Sequence, residues 1–153
     1  EIGWSEHSVY PDIADLIAML AARGNQLAVV TSKIEDQARR IVDNLSFGHH
    51  FNAIYGPAIG VRTSEKAALV ARALHEMNGS PDNTVMIGDR RFDIEGARAN
   101  AVRSIGVLWG FGRVEELREA GADHIIATPA DLEKCLAACL QGQVDKAHVS
   151  VNE

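Results

Sequence analysis

The sequence contains no apolar stretch near the ~20 residues that a membrane-crossing helix requires, and its first five residues (EIGWS) do not form a signal peptide. It also lacks a long run of Lys or Arg. The 15 basic residues are outnumbered by 21 acidic ones, which gives a formal net charge of −6, whereas binding to a nucleic acid backbone calls for concentrated positive charge. We therefore expect a cytoplasmic protein, with no nucleic acid and no membrane among its partners.

Cysteine is scarce as well, with only two residues, Cys135 and Cys139. They stand four positions apart inside an apolar helical pattern, where a free cysteine behaves as a small hydrophobic side chain. We interpret both as packing residues without a metal or redox role. Position 1 is not Met, so we expect these residues to begin partway along a longer product.

Short β-branched runs alternate with helical patterns over most of the 153 residues. This alternation predicts one α/β domain in which βα units surround a mostly parallel sheet. Five strands are predicted, at residues 26–30, 51–55, 84–87, 104–108 and 124–127. Helices are predicted from Pro11 to Gly24, from a Ser32 and Glu35 capping box to Leu45, from about Ser64 to Leu74, around Gly96, at 114–120, and from a Thr128 cap to about Leu140.

Polar residues follow the predicted strands, which is where open α/β sheets bind ligands. Thr31 and Ser32 follow the first strand and offer hydroxyl and N–H groups to an anion. Lys66, in a first helical turn, suits a phosphate. The structural alternatives are that Thr31 and Ser32 cap the following helix and that Lys66 is a solvated surface residue.

Asp89 and Asp93 follow the strand at 84–87 and lie one helical turn apart, so a turn at Gly88 can aim both carboxylates at one point. Mg²⁺ relieves the repulsion between two such carboxylates and typically binds one or two of them together with phosphate oxygens. The alternative is that Asp89 caps the helix while Asp93 favours its N-terminal dipole.

Three motifs in order, Leu27 to Lys33 (LAVVTSK), Lys66, and Gly88 to Asp93 (GDRRFD), resemble the second, third and fourth motifs of the haloacid dehalogenase superfamily. The similarity extends from Tyr10 to Leu132 and is closest to the phosphoglycolate phosphatase and 5′-nucleotidase-like branch, which also fits GARAN at 96–100, GVLWG at 106–110 and AGAD at 120–123. It implies a Rossmann-like three-layer α/β/α core.

The resemblance also implies the role of each site residue. Thr31, Lys66 and Asp89 would be catalytic, and Thr31, Ser32 and Lys66 would bind phosphate. Asp89 and Asp93 would hold Mg²⁺. The reaction implied for the complete protein is hydrolysis of a small phosphorylated metabolite through an aspartyl-phosphate.

One family motif is missing. The Asp-x-Asp motif on the first strand supplies the nucleophile and the acid/base, yet no two Asp residues here stand two apart. The helical cap that selects substrate is absent too. We therefore expect residues 1–10 to be a remnant of the cap-to-core linker, 11–140 the partial core, and 141–153 a disordered tail.

Without the first strand, which the family places between the strands ending at Thr31 and Asp89, both strands would have unpaired edges open to homodimers or swapped assemblies. We expect these 153 residues alone to be inactive. A non-catalytic α/β binding or assembly module, and a phosphotransferase or mutase of the same superfamily, remain alternatives. His49 and His50 receive no role, and packing is the favoured interpretation of Trp109 and Phe111.

Overall fold

The structure, a computed structural model, describes residues 10–59, 65–140 and 148–151. Six strands lie in this described part: β1 (Gln26–Val30), β2 (Ala53–Tyr55), β3 (Thr84–Gly88), β4 (Arg103–Val107), β5 (His124–Ile126) and β6 (His148–Val151). The described helices are α1 (Tyr10–Ala22), α2 (Glu35–Asp43), α3 (Lys66–Glu76), α4 (Arg91–Ala99), α5 (Val114–Ala120) and α6 (Pro129–Cys139). Short 3₁₀ helices at Gly48–His50 and Pro81–Asn83 precede β2 and β3.

The strands form one parallel sheet in the order β2-β1-β6-β3-β4-β5. Helices cover both faces because the strands are apolar on both sides, as a parallel sheet requires. Alternate residues of β1 divide the core: Leu27 packs with α1 and α6, whereas Ala28 and Val30 pack with α3. Helix α2 covers Val29. The predicted three-layer α/β/α architecture is confirmed.

Several local signals in the sequence fix helix ends. Gly24 and Gly121 follow α1 and α5 with φ angles of 88° and 92°, a left-handed conformation that favours glycine. The Thr128 side chain accepts a hydrogen bond from the Asp131 N–H at 3.2 Å and so caps α6 as predicted. The predicted Ser32 cap is wrong, because the residue at the N-cap of α2 is Ile34.

The main departure from the predicted fold lies at the C-terminal end. Residues 148–151 were predicted to be disordered, but they form β6 and pair in parallel with β1 on one side and β3 on the other. Val149 is in register with both Leu27 and Val85. The predicted unpaired edges of β1 and β3 are therefore covered along these registers, because β6 lies between them.

Other predictions fall on residues that are not described. The predicted linker remnant at 1–10 lies outside the described residues except for Tyr10, which begins α1. The predicted helix start near Ser64 also lies outside them, and α3 is described from Lys66. Among the described residues, no helix combines the length and apolar character needed to cross a membrane.

Candidate active site

A buried ion pair joins two helices beneath the carboxyl edge of the sheet. Lys66 Nζ, at the start of α3, lies 3.0 Å from Asp93 Oδ1 in the first turn of α4, and their side chains are only 5% and 1% exposed. Lys66 Nζ also donates to the Val30 carbonyl oxygen at 3.3 Å. Lys66 is therefore not a solvated surface residue, and its ammonium links the end of β1 to α4.

The Asp93 carboxylate also organises the loop between β3 and α4. Its Oδ2 accepts hydrogen bonds from the Asp89 and Arg90 backbone N–H groups, both at 3.1 Å. These donors stand at the helix N-terminus, where a negative charge is favourable. A Cβ added to Gly88 would lie 2.3 Å from Asp93 Cβ, so the loop can pass this close to Asp93 only because residue 88 is glycine.

Asp89 is held from the opposite side by the loop that follows β4. Its Oδ2 accepts a hydrogen bond from the Phe111 N–H at 2.8 Å. A Cβ at Gly110 would lie 2.3 Å from Asp89 Oδ2, and one at Gly112 would overlap the Asp89 carbonyl oxygen. The two glycines let the β4 loop close around Asp89, which fixes the direction of its carboxylate.

Thr31 lies directly after β1, next to the carbonyl that Lys66 contacts. It is fully buried, its N–H donates to the Tyr55 carbonyl oxygen at 2.9 Å, and its Oγ1 accepts from the Lys33 N–H at 3.1 Å. Ser32 is exposed. Thr31 and Ser32 therefore form the turn between β1 and α2 at the carboxyl end of β1.

Burial is the main influence on the charge of Asp93. It raises the pKa of the Asp93 carboxyl above its ordinary value. The Lys66 cation and the Arg90 N–H oppose that rise, and the nearby Asp89 carboxylate adds to it. A carboxylate withdrawn from water keeps its charge only where such partners compensate for lost hydration. The lysine and the helix N-terminus therefore act together to offset part of the cost of burying the Asp93 carboxylate.

A further carboxylate, Glu116 of α5, braces the start of α4 from outside. Its Oε2 accepts from Arg90 Nε at 2.9 Å and from the Arg91 N–H at 2.7 Å. These bonds keep the pKa of Glu116 below its usual range. Sequence patterns did not reveal this contact, because 25 residues separate Glu116 from Arg91 and only the packing of α5 on α4 brings them together.

An apolar cavity opens beside Asp89. It runs between α1, α6 and the sheet, and its wall includes Leu16, Ile87, Val107, Trp109 and Leu132. Trp109 is partly buried against the core, in agreement with the packing interpretation, whereas Phe111 is 61% exposed. An apolar space next to a carboxylate could exclude water from one side of the site.

The structure brings the predicted site residues to one edge of the sheet. The contacts of Lys66 with Asp93 and the Val30 carbonyl, together with the Asp93 bond to the Asp89 N–H, connect the ends of β1 and β3. Thr31 and Ser32 follow β1 at the same edge. Gly88 was predicted to form the turn before Asp89. Gly110 and Glu116 complete the arrangement but were given no role, although Gly110 was visible in the GVLWG motif.

Lys66, Asp93 and Asp89 belong to the motifs on which the family resemblance rests, and the structure brings them together at the ends of β1 and β3. Residues 3–107 match the family model of haloacid dehalogenase-like hydrolases. The chain belongs to this family, which confirms the resemblance found in its motifs.

Three similar proteins show the range of the family. The 5′-nucleotidase of Pseudomonas aeruginosa is 37% identical over 134 residues, 88% of this chain and 61% of that protein. The tyrosine-protein kinase PtkA of Mycobacterium tuberculosis is 37% identical over 113 residues, 74% of this chain and 39% of that protein. A predicted phosphatase from Clostridium acetobutylicum has a TM-score of 0.80 and 35% identity, covering 84% of this chain and 60% of that one. The chain spans less than two thirds of the length of each.

Proposed function

We propose that the protein acts as a magnesium-dependent phosphatase that hydrolyses a small phosphomonoester through an aspartyl-phosphate. The observation that carries this proposal is the buried Lys66–Asp93 ion pair, which lies next to Asp89 and connects the ends of β1 and β3. The nucleophilic Asp is proposed to come from a segment outside these 153 residues.

The donor chemistry at this edge fits Mg²⁺, a hard cation that prefers oxygen ligands. Asp89 is the better placed ligand of the predicted pair, because the Phe111 N–H orients its carboxylate. Asp93 already interacts through both oxygens with Lys66 and the two N–H groups. We infer that Asp93 contributes negative charge and positions Asp89 and Lys66. When bound, Mg²⁺ would neutralise charge on the phosphoryl oxygens.

The remaining residues would hold the phosphoryl group. Thr31 follows β1 at the level of the Lys66 contact, so its hydroxyl can donate to a phosphoryl oxygen, and the Ser32 N–H can donate to another. Lys66 would supply positive charge from beneath. In the first step the nucleophilic carboxylate forms a bond to phosphorus as the alcohol leaves. In the second step water cleaves the acyl phosphate and releases inorganic phosphate.

The substrate is proposed to be a small phosphorylated metabolite, nucleotide-like or phosphoglycolate-like. The similarity to a protein named 5′-nucleotidase supports this class. A cytoplasmic location stays a prediction.

A second candidate is transfer of the phosphoryl group to a protein hydroxyl. It rests on the similarity to a protein named tyrosine-protein kinase, at the same 37% identity as the nucleotidase. Both reactions need the same oxyanion contacts and differ in the acceptor, which is water in one and a hydroxyl group in the other. The sheet edge described above therefore fits either reaction.

The test is phosphate release from p-nitrophenyl phosphate by the 153-residue chain and by its natural gene product. We expect release by the complete protein only, and its loss on chelation of Mg²⁺. Removing a nucleophile commonly lowers kcat by several powers of ten. Mg²⁺-dependent release by the chain alone would overturn the proposed origin of the nucleophile outside these 153 residues. Absence of release by both, together with no transfer to a tyrosine peptide, would instead favour a non-catalytic binding module.

We further propose that the chain can form a homodimer or swapped assembly when the edges of β1 and β3 are uncovered. Strand β6 now pairs with both of these strands. Backbone groups of a central strand must find hydrogen bonds, so displacement of β6 would leave two edges able to accept a strand from another chain.

A further inference from the structure

A cluster of metal-binding side chain types lies away from the candidate active site. His124 begins β5, and Cys135 and Cys139 stand one turn apart on α6. One ligand atom from each residue, an imidazole nitrogen and two Sγ atoms, lies within 4.8 Å of the other two. The cysteines are free thiols. None of the three residues takes part in the phosphoryl-transfer proposal.

The position of the cluster separates it from the active site. His124 is at the amino end of β5, in register with Ile105 of β4, whereas Thr31 and Asp89 follow the carboxyl ends of their strands. Because the sheet is parallel, the amino ends of all its strands lie at one end of the sheet and the carboxyl ends at the other. An ion held by His124, Cys135 and Cys139 would therefore be at the far edge from any Mg²⁺ held by Asp89.

The ligand types select a soft or borderline cation. Thiolate sulfur and imidazole nitrogen favour Zn²⁺, whereas Mg²⁺ prefers oxygen. Around a tetrahedral zinc ion with bonds of about 2.0–2.3 Å, ligand atoms stand roughly 3.5–3.8 Å apart. The present separations of up to 4.8 Å need to shorten by about 1 Å. Side-chain rotation can supply this, since His124 is exposed and Cys135 is half-buried.

Packing accounts for only part of the cluster. Cys139 is buried in the hydrophobic core and Cys135 packs against its margin, as expected from the sequence. An exposed imidazole converging on the two sulfurs is not needed for packing, but it supplies the third ligand of a metal site.

We propose that His124, Cys135 and Cys139 form a zinc site with three protein ligands, leaving the fourth position to water. The bound ion would fasten α6 to the edge strand β5. An edge strand of three residues gains few ladder hydrogen bonds, so a cross-link to the neighbouring helix would stabilise this side of the sheet. Three protein ligands with water in the fourth position is the coordination known from catalytic zinc sites.

The experiment titrates the metal-free 153-residue chain with Cd²⁺ and follows the thiolate-to-metal charge-transfer absorption. We expect saturation at one ion per chain, displacement by one equivalent of Zn²⁺, and no displacement by a large excess of Mg²⁺. Replacing Cys135 with Ser should remove about half of the absorption, because one of the two thiolates is lost. Zn²⁺ should also raise the midpoint of thermal unfolding.

His124→Ala keeps both thiols and changes an exposed side chain, so it tests the third ligand without disturbing the core. We expect its Cd²⁺ affinity to fall by at least about tenfold. His75→Ala, an exposed histidine at the end of α3, is the matched control and should bind as the unchanged protein does. Failure to saturate at one ion, or equal affinity in the His124→Ala and His75→Ala variants, would overturn the proposal.

Discussion

Gly96 of α4 lies against Lys66 of α3 so closely that a Cβ built on the glycine would stand 2.9 Å from Lys66 Cγ and 3.1 Å from its Cβ. The lack of a side chain at Gly96 therefore lets the first turn of α3 pack directly against α4. Lys66 can then reach Asp93 at 3.0 Å while remaining almost fully buried.

Replacing Gly96 with Ala therefore tests two opposing effects. Helix propensity alone would stabilise the protein by about 1 kcal/mol, whereas overpacking against Lys66 costs about 1–3 kcal/mol. We expect overpacking to outweigh helix propensity and the variant to be less stable, since part of the contact is with the Lys66 backbone carbon at 3.1 Å. Urea unfolding of both proteins gives the sign of the change in the free energy of unfolding. A variant more stable than the natural sequence would contradict the proposed close contact.

The Lys66–Asp93 pair should show strong energetic coupling. Lys66→Met leaves a buried carboxylate, and Asp93→Asn leaves a buried ammonium, so each single change should cost about 3–5 kcal/mol. The double variant should cost clearly less than the sum, because neither charge is left alone. A double-mutant cycle measured by urea unfolding checks this.

The matched control for that cycle is the Arg72–Glu76 pair on α3, whose side chains are 42% and 48% exposed. Its coupling should stay below about 1 kcal/mol. Equal coupling energies in the two cycles would mean that burial does not strengthen the interaction between Lys66 and Asp93.

The brace formed by Glu116 should make stability depend on pH. Its pKa is depressed in the folded protein, so its stabilising contribution is present above the unfolded value, about 4.3, and is lost as pH falls through the lower folded value. Glu116→Gln should therefore destabilise at pH 7 and approach the natural protein in acid. Glu119→Gln, on the exposed side of the same helix, should have little effect at either pH. If Glu116→Gln lowered the free energy of unfolding equally at pH 7 and in acid, the proposed role of the Glu116 charge would be contradicted.

Strand β6 should control the oligomeric state. Removing residues 141–153 would uncover the edges of β1 and β3, so we expect dimers or larger species in light-scattering measurements of the eluted protein. Val149→Pro should act in the same direction, because proline cannot donate a ladder hydrogen bond in a central strand. If the truncated and the full chain, measured at equal protein concentration, were both monomeric, this role for β6 would be refuted.

The sequence predicted those parts of the fold that depend on neighbouring residues. Gly121 ends one helix and Thr128 begins the next by local geometry. The short β-branched runs between helical patterns identified β1 to β5 within a few residues. Ser32 failed as a cap because α2 begins at Glu35 with Ile34 at its N-cap. The Glu35 carboxylate instead accepts a hydrogen bond from the Gly56 N–H and pairs with Arg72. Strand β6 was missed because its polar/apolar alternation, His-Val-Ser-Val, is only four residues long and follows a polar stretch, and its place depends on the pairing with β1 and β3.

The site was predictable as a set of residues but not as a geometry. Order along the chain placed Thr31, Lys66, Asp89 and Asp93 after strands or in a first helical turn. The burial of Lys66 and its bond to the Val30 carbonyl depend on how α3 packs beside β1, 36 residues away. The bond from the Phe111 N–H to Asp89 depends likewise on the loop after β4.

The most direct test of the proposed magnesium and phosphoryl site is an NMR titration of the ¹⁵N-labelled chain with Mg²⁺, followed by inorganic phosphate. We predict that Mg²⁺ shifts the amide signals of Asp89, Arg90 and Phe111, that phosphate then shifts those of Ser32 and Lys33, and that Asp89→Asn abolishes both responses. Shifts scattered over the opposite edge of the sheet, or an unchanged response in Asp89→Asn, would contradict a shared site at this edge.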